Sequence, residues 1–258
     1  MQSLIERNGG VATVVASMRE VPLEDNRPAM HFAEELLAKR IDVVVFLTGV
    51  GARILLQAVE SRHERDQFLR ALDQTVTIVR GPKPFAVLRE WNVHIDHRAP
   101  EPNTWRELTA TIESGVPISG KRVAVQEYGK SNEELYDELD RLGANVLRVP
   151  VYQWALPTDT APLEDAIRQI VSGKHDLLLF TSAQQIHNVL EVAEKLGLRG
   201  EWLAAASKCV IGSIGPTASE TLHEVGLPVD IEASPPKMGQ LVRDALAAAP
   251  EILAAKLR

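Results

Sequence analysis

The sequence predicts an α/β protein of two doubly wound parallel-sheet lobes, and three observations carry that prediction. Short, continuous apolar runs end in Gly, Thr or Ser; each is followed by a stretch of helical period; and the pattern is written twice. "DVVVFLTGVGARILLQAVE" begins at Asp42 and returns as "DLLLFTSAQQIHNVLEVAE" at Asp176, an offset of 134 positions. Apolar runs without polar alternation suit strands covered on both faces, as in parallel sheets. Strand, turn and helix in alternation give a doubly wound fold.

The elements follow in order. "ERNGGVATVVA" from Glu6 lies over "DRLGANVLRVP" from Asp140, pairing Arg7 with Arg141, Gly9 with Gly143 and Val15 with Val149. "SMREVPLEDNRP" from Ser17 is Pro-containing and partly polar, which reads as an extended connector. "DVVVFLT" is a strand and Val50 to Glu60 its helix. "VTIVRG" is the next strand, and "TVTIVRGPKPFAVLREWNVHID" from Thr75 lies over "CVIGSIGPTASETLHEVGLPVD" from Cys209. There Gly81-Pro82 meets Gly215-Pro216, Leu88 meets Leu222, Glu90 meets Glu224 and Asp96 meets Asp230. "RVAVQEYG" is a strand followed by a helix from Asn132 to Leu142, with Ser131 as its expected N-cap. "VYQWALPTDTAP" from Val151 is the second connector. "DLLLFTS" leads through an N-cap at Ser182 into a helix from Ala183 to Leu196, and "CVIGSIG" into one from Pro216 to Val225, where Pro suits the first helical position. Three blocks in one register read as an internal duplication, with a unit far longer than solenoid periods. "KRVAVQEYGKSNEE" would then need a counterpart ahead of Met1, so the duplication predicts a strand that a misplaced start or a trimmed chain has removed.

Composition narrows the function. A chain of 258 residues suits one large or two modest domains, and 45% apolar residues can bury an ordinary core. A net charge of −7 without a Lys/Arg run argues against nucleic acid and against anionic membranes as partners. The single cysteine, Cys209, excludes an internal disulfide and reads as a small buried hydrophobe. No apolar run approaches spanning length and no targeting segment opens the chain, so a soluble, cytoplasmic protein is expected.

In open α/β sheets ligands bind beyond the carboxyl ends of the strands. Those ends hold Thr48, Gly49, Val50 and Gly51; Arg80, Gly81 and Lys83; Tyr128, Gly129 and Lys130; Thr181, Ser182, Ala183 and Gln184; and Ile214, Gly215, Pro216 and Thr217. All lie at expected helix starts, where free N–H groups attract carboxylates or phosphates. Each turn alone is explained by chain reversal; five facing one cleft between lobes point to anion binding. "GVGARI" has Ile54 where a dinucleotide fingerprint has its third glycine, and no acidic ribose partner is evident. Walker, G-x-S-x-G and H-E-x-x-H motifs are absent, and no Cys/His cluster has zinc spacing, so no metal is expected. His187 reads as solvated or capping. Tyr152 in the second connector is either a proton donor or a packed aromatic bracing a hinge. Tyr128 is open in the same way, and Trp154 reads as hinge packing.

The stretches "FLTGVGAR", "VAVQEYGKSNEELYDELDRLGANVLRVPVYQW", "LLLFTSAQQIHNVLEVA" and "VIGSIGPTASETLHEVGLPV" together resemble the uroporphyrinogen-III synthase family over nearly the whole chain. The resemblance implies two flavodoxin-like lobes joined by a two-stranded connector. One lobe takes residues 1–22 plus 157–258 and the other 23–156, with connectors at about 17–28 and 151–162. Family members open with a strand and an Arg-containing turn that this chain does not contain. The implied reaction is the cofactor-free cyclisation of hydroxymethylbilane to uroporphyrinogen III, with loss of water and inversion of ring D. A monomer is expected on separate grounds, since no heptad or large apolar stripe in the sequence requires a partner. By motif, Tyr152 is the candidate general acid and Thr217 supports it, while Ser182 and Thr48 occupy substrate-contact positions. Because the substrate bears eight carboxylates and this chain is net negative, attraction falls to helix-start amides and hydroxyls, with Arg53, Arg80, Lys83 and Lys130 as helpers. The alternatives are a non-catalytic bilobed sensor of an anionic small molecule, which lacks a segment to receive a signal, and a nucleotide-dependent transferase, which the glycine pattern disfavours.

Overall fold

A computed structural model describes residues 1–129 and 131–256. The chain divides into two compact units: Met1–Arg19 with Ala155–Arg258, and Glu20–Trp154. The crossings between units therefore fall two to three residues earlier than the family likeness implies.

The first unit opens with α1 (Gln2–Arg7), and the chain then runs through β1 (Arg19–Pro22) into the second. There follow α2 (Arg27–Leu37), β2 (Val43–Phe46), α3 (Gly49–Glu60), α4 (Arg65–Asp73), β3 (Val76–Val79), α5 (Pro82–Glu90) and β4 (His97–Arg98). The second unit closes with α6 (Trp105–Gly115), β5 (Arg122–Gln126), α7 (Glu133–Arg141), β6 (Asn145–Val149) and β7 (Tyr152–Ala155). Back in the first unit come α8 (Ala161–Val171), β8 (Leu177–Phe180), α9 (Ala183–Lys195), α10 (Arg199–Ala206), β9 (Val210–Ser213), α11 (Pro216–Glu224), β10 (Ile231–Glu232) and α12 (Met238–Lys256). β1 pairs with β7 in a two-stranded sheet where the two connectors run.

The second unit holds a sheet in the order β4-β3-β2-β5-β6, parallel throughout. Its sequence explains its three layers. Successive strand residues point to opposite faces, and here both faces are apolar. Val44, Phe46, Val79 and Ala124 join one core, with Phe32 and Phe68 from the helices on that side. Val43, Val45, Ile78, Val123 and Val125 join the other, with Leu108, Ile112 and Leu139. All four residues of β2 are buried, and full burial of Phe46 alone contributes about 2–3 kcal/mol.

The first unit has a three-stranded parallel sheet in the order β10-β9-β8. Its elements recur at the sequence offset: β2, β3 and β4 start at Val43, Val76 and His97, and β8, β9 and β10 at Leu177, Val210 and Ile231. Finer details recur as well. Asp96 accepts the Thr77 N–H at 2.8 Å, and Asp230 accepts the Ile211 N–H at 2.7 Å. Gly9 and Gly143 both turn the chain with positive φ, +84° and +81°, which a side chain would oppose. The repeat is unequal in one respect. β2 has β5 as a neighbour, whereas β8 ends its sheet among the described residues, and Val11 stands fully exposed.

The N-cap expected at Ser131 falls instead on Asn132. The longer Asn side chain reaches the Leu135 N–H at 2.8 Å, while Ser131 donates to the Glu133 carboxylate. Strands end two or three residues before the predicted Gly, Thr and Ser: Thr48, Gly81, Ser182 and Gly215 are helix N-caps, while Gly129 turns the chain ahead of the Asn132 cap. Among the described residues no helix is long and apolar enough to cross a membrane.

Candidate active site

In the second unit the carboxyl ends of β2, β3 and β5 bring several predicted residues together. Thr48 leaves β2 in extended conformation and caps α3, its Oγ1 accepting the Gly51 N–H at 3.0 Å. The same oxygen lies 3.3 Å from the Tyr152 hydroxyl. Gly49 permits close approach of the next helix start: a Cβ there would sit 2.9 Å from the Lys83 carbonyl. Gly51 is buried and Val50 turns outward, 38% exposed. Gly81 caps α5, and Lys83 is exposed on its first turn.

Arg80 ends β3 with its guanidinium 4.8 Å from the centre of the Tyr128 ring. Burial depresses its pKa, and the nearby Tyr128 and Tyr152 oppose that shift. No carboxylate among the described residues pairs with it. A half-buried cation without an anion is costly, and a ligand carboxylate would remove that cost. Turned so that its nitrogen faces them, the Asn103 amide donates to the Arg80 and Ala99 carbonyls at 3.1 and 3.2 Å.

Tyr128 accepts from the Asn132 amide at 2.8 Å and packs at a tilt on Trp154, ring centres 5.6 Å apart. Gly129 has φ +59°, and a Cβ would meet the Trp154 ring at 2.5 Å, so only glycine fits. The Trp154 N–H donates to the Gly129 carbonyl at 3.3 Å. This latches the Tyr128–Gly129 turn to β7, the strand that carries Tyr152. The Tyr152 ring is core, 4% exposed, while its hydroxyl meets Thr48. Burial raises its pKa; Glu20 adds to the rise, and the Thr48 hydrogen bond and Arg80 oppose it. The ring thus packs as a core aromatic while its hydroxyl keeps a polar partner.

The remaining predicted residues are placed as follows within each unit. In the first unit Ser182 caps α9, accepting the Gln184 N–H at 3.3 Å. Thr181 donates its N–H to Gln185 at 2.7 Å, and the Gln184 amide is tied to Asn188 at 2.7 Å. Ala183 opens α9, and Ile214 packs against the core of that unit. Gly215 caps α11 with its N–H on the Ser213 hydroxyl, Pro216 follows, and Thr217 is exposed. Lys130 lies outside the described residues. Arg53 is not a helper: it pairs with Glu90 between the exposed faces of α3 and α5, because its place on α3 turns it away from Thr48. Cys209 is a buried thiol donating to the His175 carbonyl.

Gln126 was missed. It is 1% exposed and accepts the Thr48 N–H at 3.3 Å while donating to the Glu127 carbonyl. Among the described residues no group of three or more His, Cys, Asp or Glu is gathered for a metal.

Comparison with known proteins gives a consistent answer. The family model described as uroporphyrinogen-III synthase HemD matches residues 1–243. An uncharacterized Bacillus subtilis protein, YjjA, is 27% identical over 94% of this chain and 88% of its own length. A uroporphyrinogen-III synthase of Synechococcus elongatus is 31% identical over 45% of this chain and 44% of its own. Among solved structures, a mutant uroporphyrinogen III synthase from the extreme thermophile Thermus thermophilus shares the fold with a TM-score of 0.68 at 20% identity, covering 98% of this chain and 94% of that one.

Proposed function

Because the chain belongs to the uroporphyrinogen-III synthase family, we propose that it converts hydroxymethylbilane to uroporphyrinogen III, with loss of water and inversion of ring D. The observation that carries this reading is the grouping of the Tyr152 hydroxyl, Thr48 and the Arg80 guanidinium, which has no carboxylate partner among the described residues, beside the starts of α3 and α5. Acidic side chains of a linear tetrapyrrole match that grouping. Helix-start amides and one guanidinium take carboxylates, and the phenol supplies a proton.

In the proposed reaction Tyr152 protonates the ring A hydroxymethyl oxygen, and water leaves with the C–O bonding pair. The azafulvenium cation that remains is attacked by the substituted carbon of ring D, giving a spiro intermediate. That intermediate fragments and recloses with ring D reversed, and the proton lost on aromatisation of the pyrrole restores the phenol. The substrate closes unaided to the unreversed isomer, so holding geometry matters as much as lowering barriers. Modest contacts at each carboxylate let the chain curl. Thr181, Ser182, Ala183 and Gln184, with Ile214, Gly215, Pro216 and Thr217, are the first unit's candidates for further carboxylates, Thr217 in support of the chemistry. Lys83 and Gly129 are the second unit's.

The finer architecture belongs to the same proposal. Counted from β5, the five-stranded order reads 2-1-3-4-5, the flavodoxin arrangement entered at a different strand. The recurring Asp96 and Asp230 contacts support two lobes from one duplicated half. The enzyme is proposed to act as a cytoplasmic monomer without a cofactor. The test is to supply hydroxymethylbilane, oxidise the products and separate the isomers. Isomer III supports the reading; isomer I alone, as in an enzyme-free blank, refutes it.

A further inference from the structure

Gln126 is a polar side chain where the strand is otherwise apolar. It ends β5 after Val123, Ala124 and Val125, and lies beside Phe46 in the register against β2. Burying an amide costs about 1–3 kcal/mol unless its groups find partners. Both ends of this one do: Oε1 accepts the Thr48 N–H, and Nε2 donates to the Glu127 carbonyl. Gly51 leaves the space, since a Cβ there would overlap the Gln126 amide. Two positions of the chain thus serve one contact.

The contact bears on Thr48. A threonine hydroxyl has one proton and two lone pairs. The Gly51 N–H occupies one lone pair. With the Thr48 backbone held by Gln126, the hydroxyl is kept within reach of the Tyr152 oxygen, 3.3 Å away. When Tyr152 gives up its proton, Thr48 must donate to the phenolic oxygen to meet the charge left behind. The groups facing that oxygen are Thr48 from the start of α3, Arg80 after β3, Tyr128 after β5 and Glu20 on β1.

We infer that Gln126 is a positioning residue for proton donation by Tyr152: the amide holds Thr48, and Thr48 holds the phenol. This rests on the cyclase reading above, and two readouts keep them separable. The first is turnover of hydroxymethylbilane by Gln126→Met in the parent and in Tyr152→Phe backgrounds. In the parent, kcat drops about tenfold with KM within about twofold, the loss expected for one buried hydrogen bond. In Tyr152→Phe the same substitution changes kcat less than about twofold, because coupled residues do not add. Equal losses in both backgrounds would mean a merely structural role and overturn the inference. The second readout needs no activity: the Tyr152 titration, followed by tyrosinate absorbance against Tyr152→Phe, in a chain with only three tyrosines. Its midpoint moves upward in Gln126→Met, since the phenolate loses a donor; an unmoved midpoint overturns the inference. Where Gln126→Met does not fold, Gly51→Ala presses a methyl group on the same amide and is read identically. If the parent yields isomer I alone, the cyclase reading falls and the titration still judges Gln126.

Discussion

Replacing Arg80 by methionine should weaken substrate binding and strengthen the fold at once. The guanidinium is half-buried against Tyr128 and has no carboxylate among the described residues. Methionine keeps the length and apolar stem while removing the charge. A charge-assisted hydrogen bond to a carboxylate is worth about 1.5–3 kcal/mol, so KM for hydroxymethylbilane should rise about ten- to a hundredfold. Removing an unpaired, desolvated charge returns more than the loss of its stacking on Tyr128, which is worth about 1 kcal/mol. A net gain of about 1 kcal/mol raises Tm by about 2–4 °C in a chain of this size. Steady-state kinetics and thermal unfolding on one preparation read both effects. A KM within about twofold of the parent, or a lowered Tm, would refute the view of Arg80 as a cation kept for a ligand.

Other outcomes follow from the same geometry. Tyr152→Phe should lower kcat about a hundredfold while the remaining product is still isomer III, because the substrate can ionise its own leaving group; unchanged turnover would remove Tyr152 from the mechanism. Gly129→Ala should lower stability by about 1–3 kcal/mol, since the left-handed backbone and the Trp154 ring both oppose a Cβ; denaturant midpoints check it. The Glu35 carboxyl is held down to about 2 from its ordinary 4.5, first by its hydrogen bond to Arg40 and then by Arg122 at the start of β5, against desolvation. A depressed carboxyl contributes stability that is full above its unfolded value and lost as pH falls through the folded one. Stability should therefore decline between pH 4.5 and about 2, and Glu35→Gln should flatten that decline in acid titrations of the denaturant midpoint.

Much of the fold was legible because the repeated runs carry local information. "VVVF" after Asp42 and "LLLF" after Asp176, each short and followed by a turn, read as strands, the first buried on both faces and the second on one, and the Gly-Pro pairs at Gly81 and Gly215 mark helix starts. α6 was legible too and went unread: Thr104 and Glu107 form a capping box, spelled out as "TWRE". Ser131 and Asn132 are both good caps, and only the distance to the Leu135 amide decides between them. The grouping of Thr48 and Arg80 is legible in the sequence because both sit at strand ends beside helix starts, whereas Tyr152 stands out only through its place in the second connector and the family likeness. Gln126 was not legible, because its meaning comes from a neighbour 78 residues away, and a Gln after an apolar run reads as a strand terminus. Arg53 was misread for the converse reason: it is near Thr48 in sequence, yet the helical turn carries it to the face where Glu90 stands.

Residue-resolved amide spectra on adding uroporphyrinogen III, the octacarboxylate product, test the central claim most directly. The account predicts that the backbone N–H signals of Gly49, Gly51, Gly81 and Lys83 shift together with the Arg80 side chain, with one saturation midpoint. Shifts confined to other surfaces, with those amides and Arg80 unmoved at saturation, would contradict it.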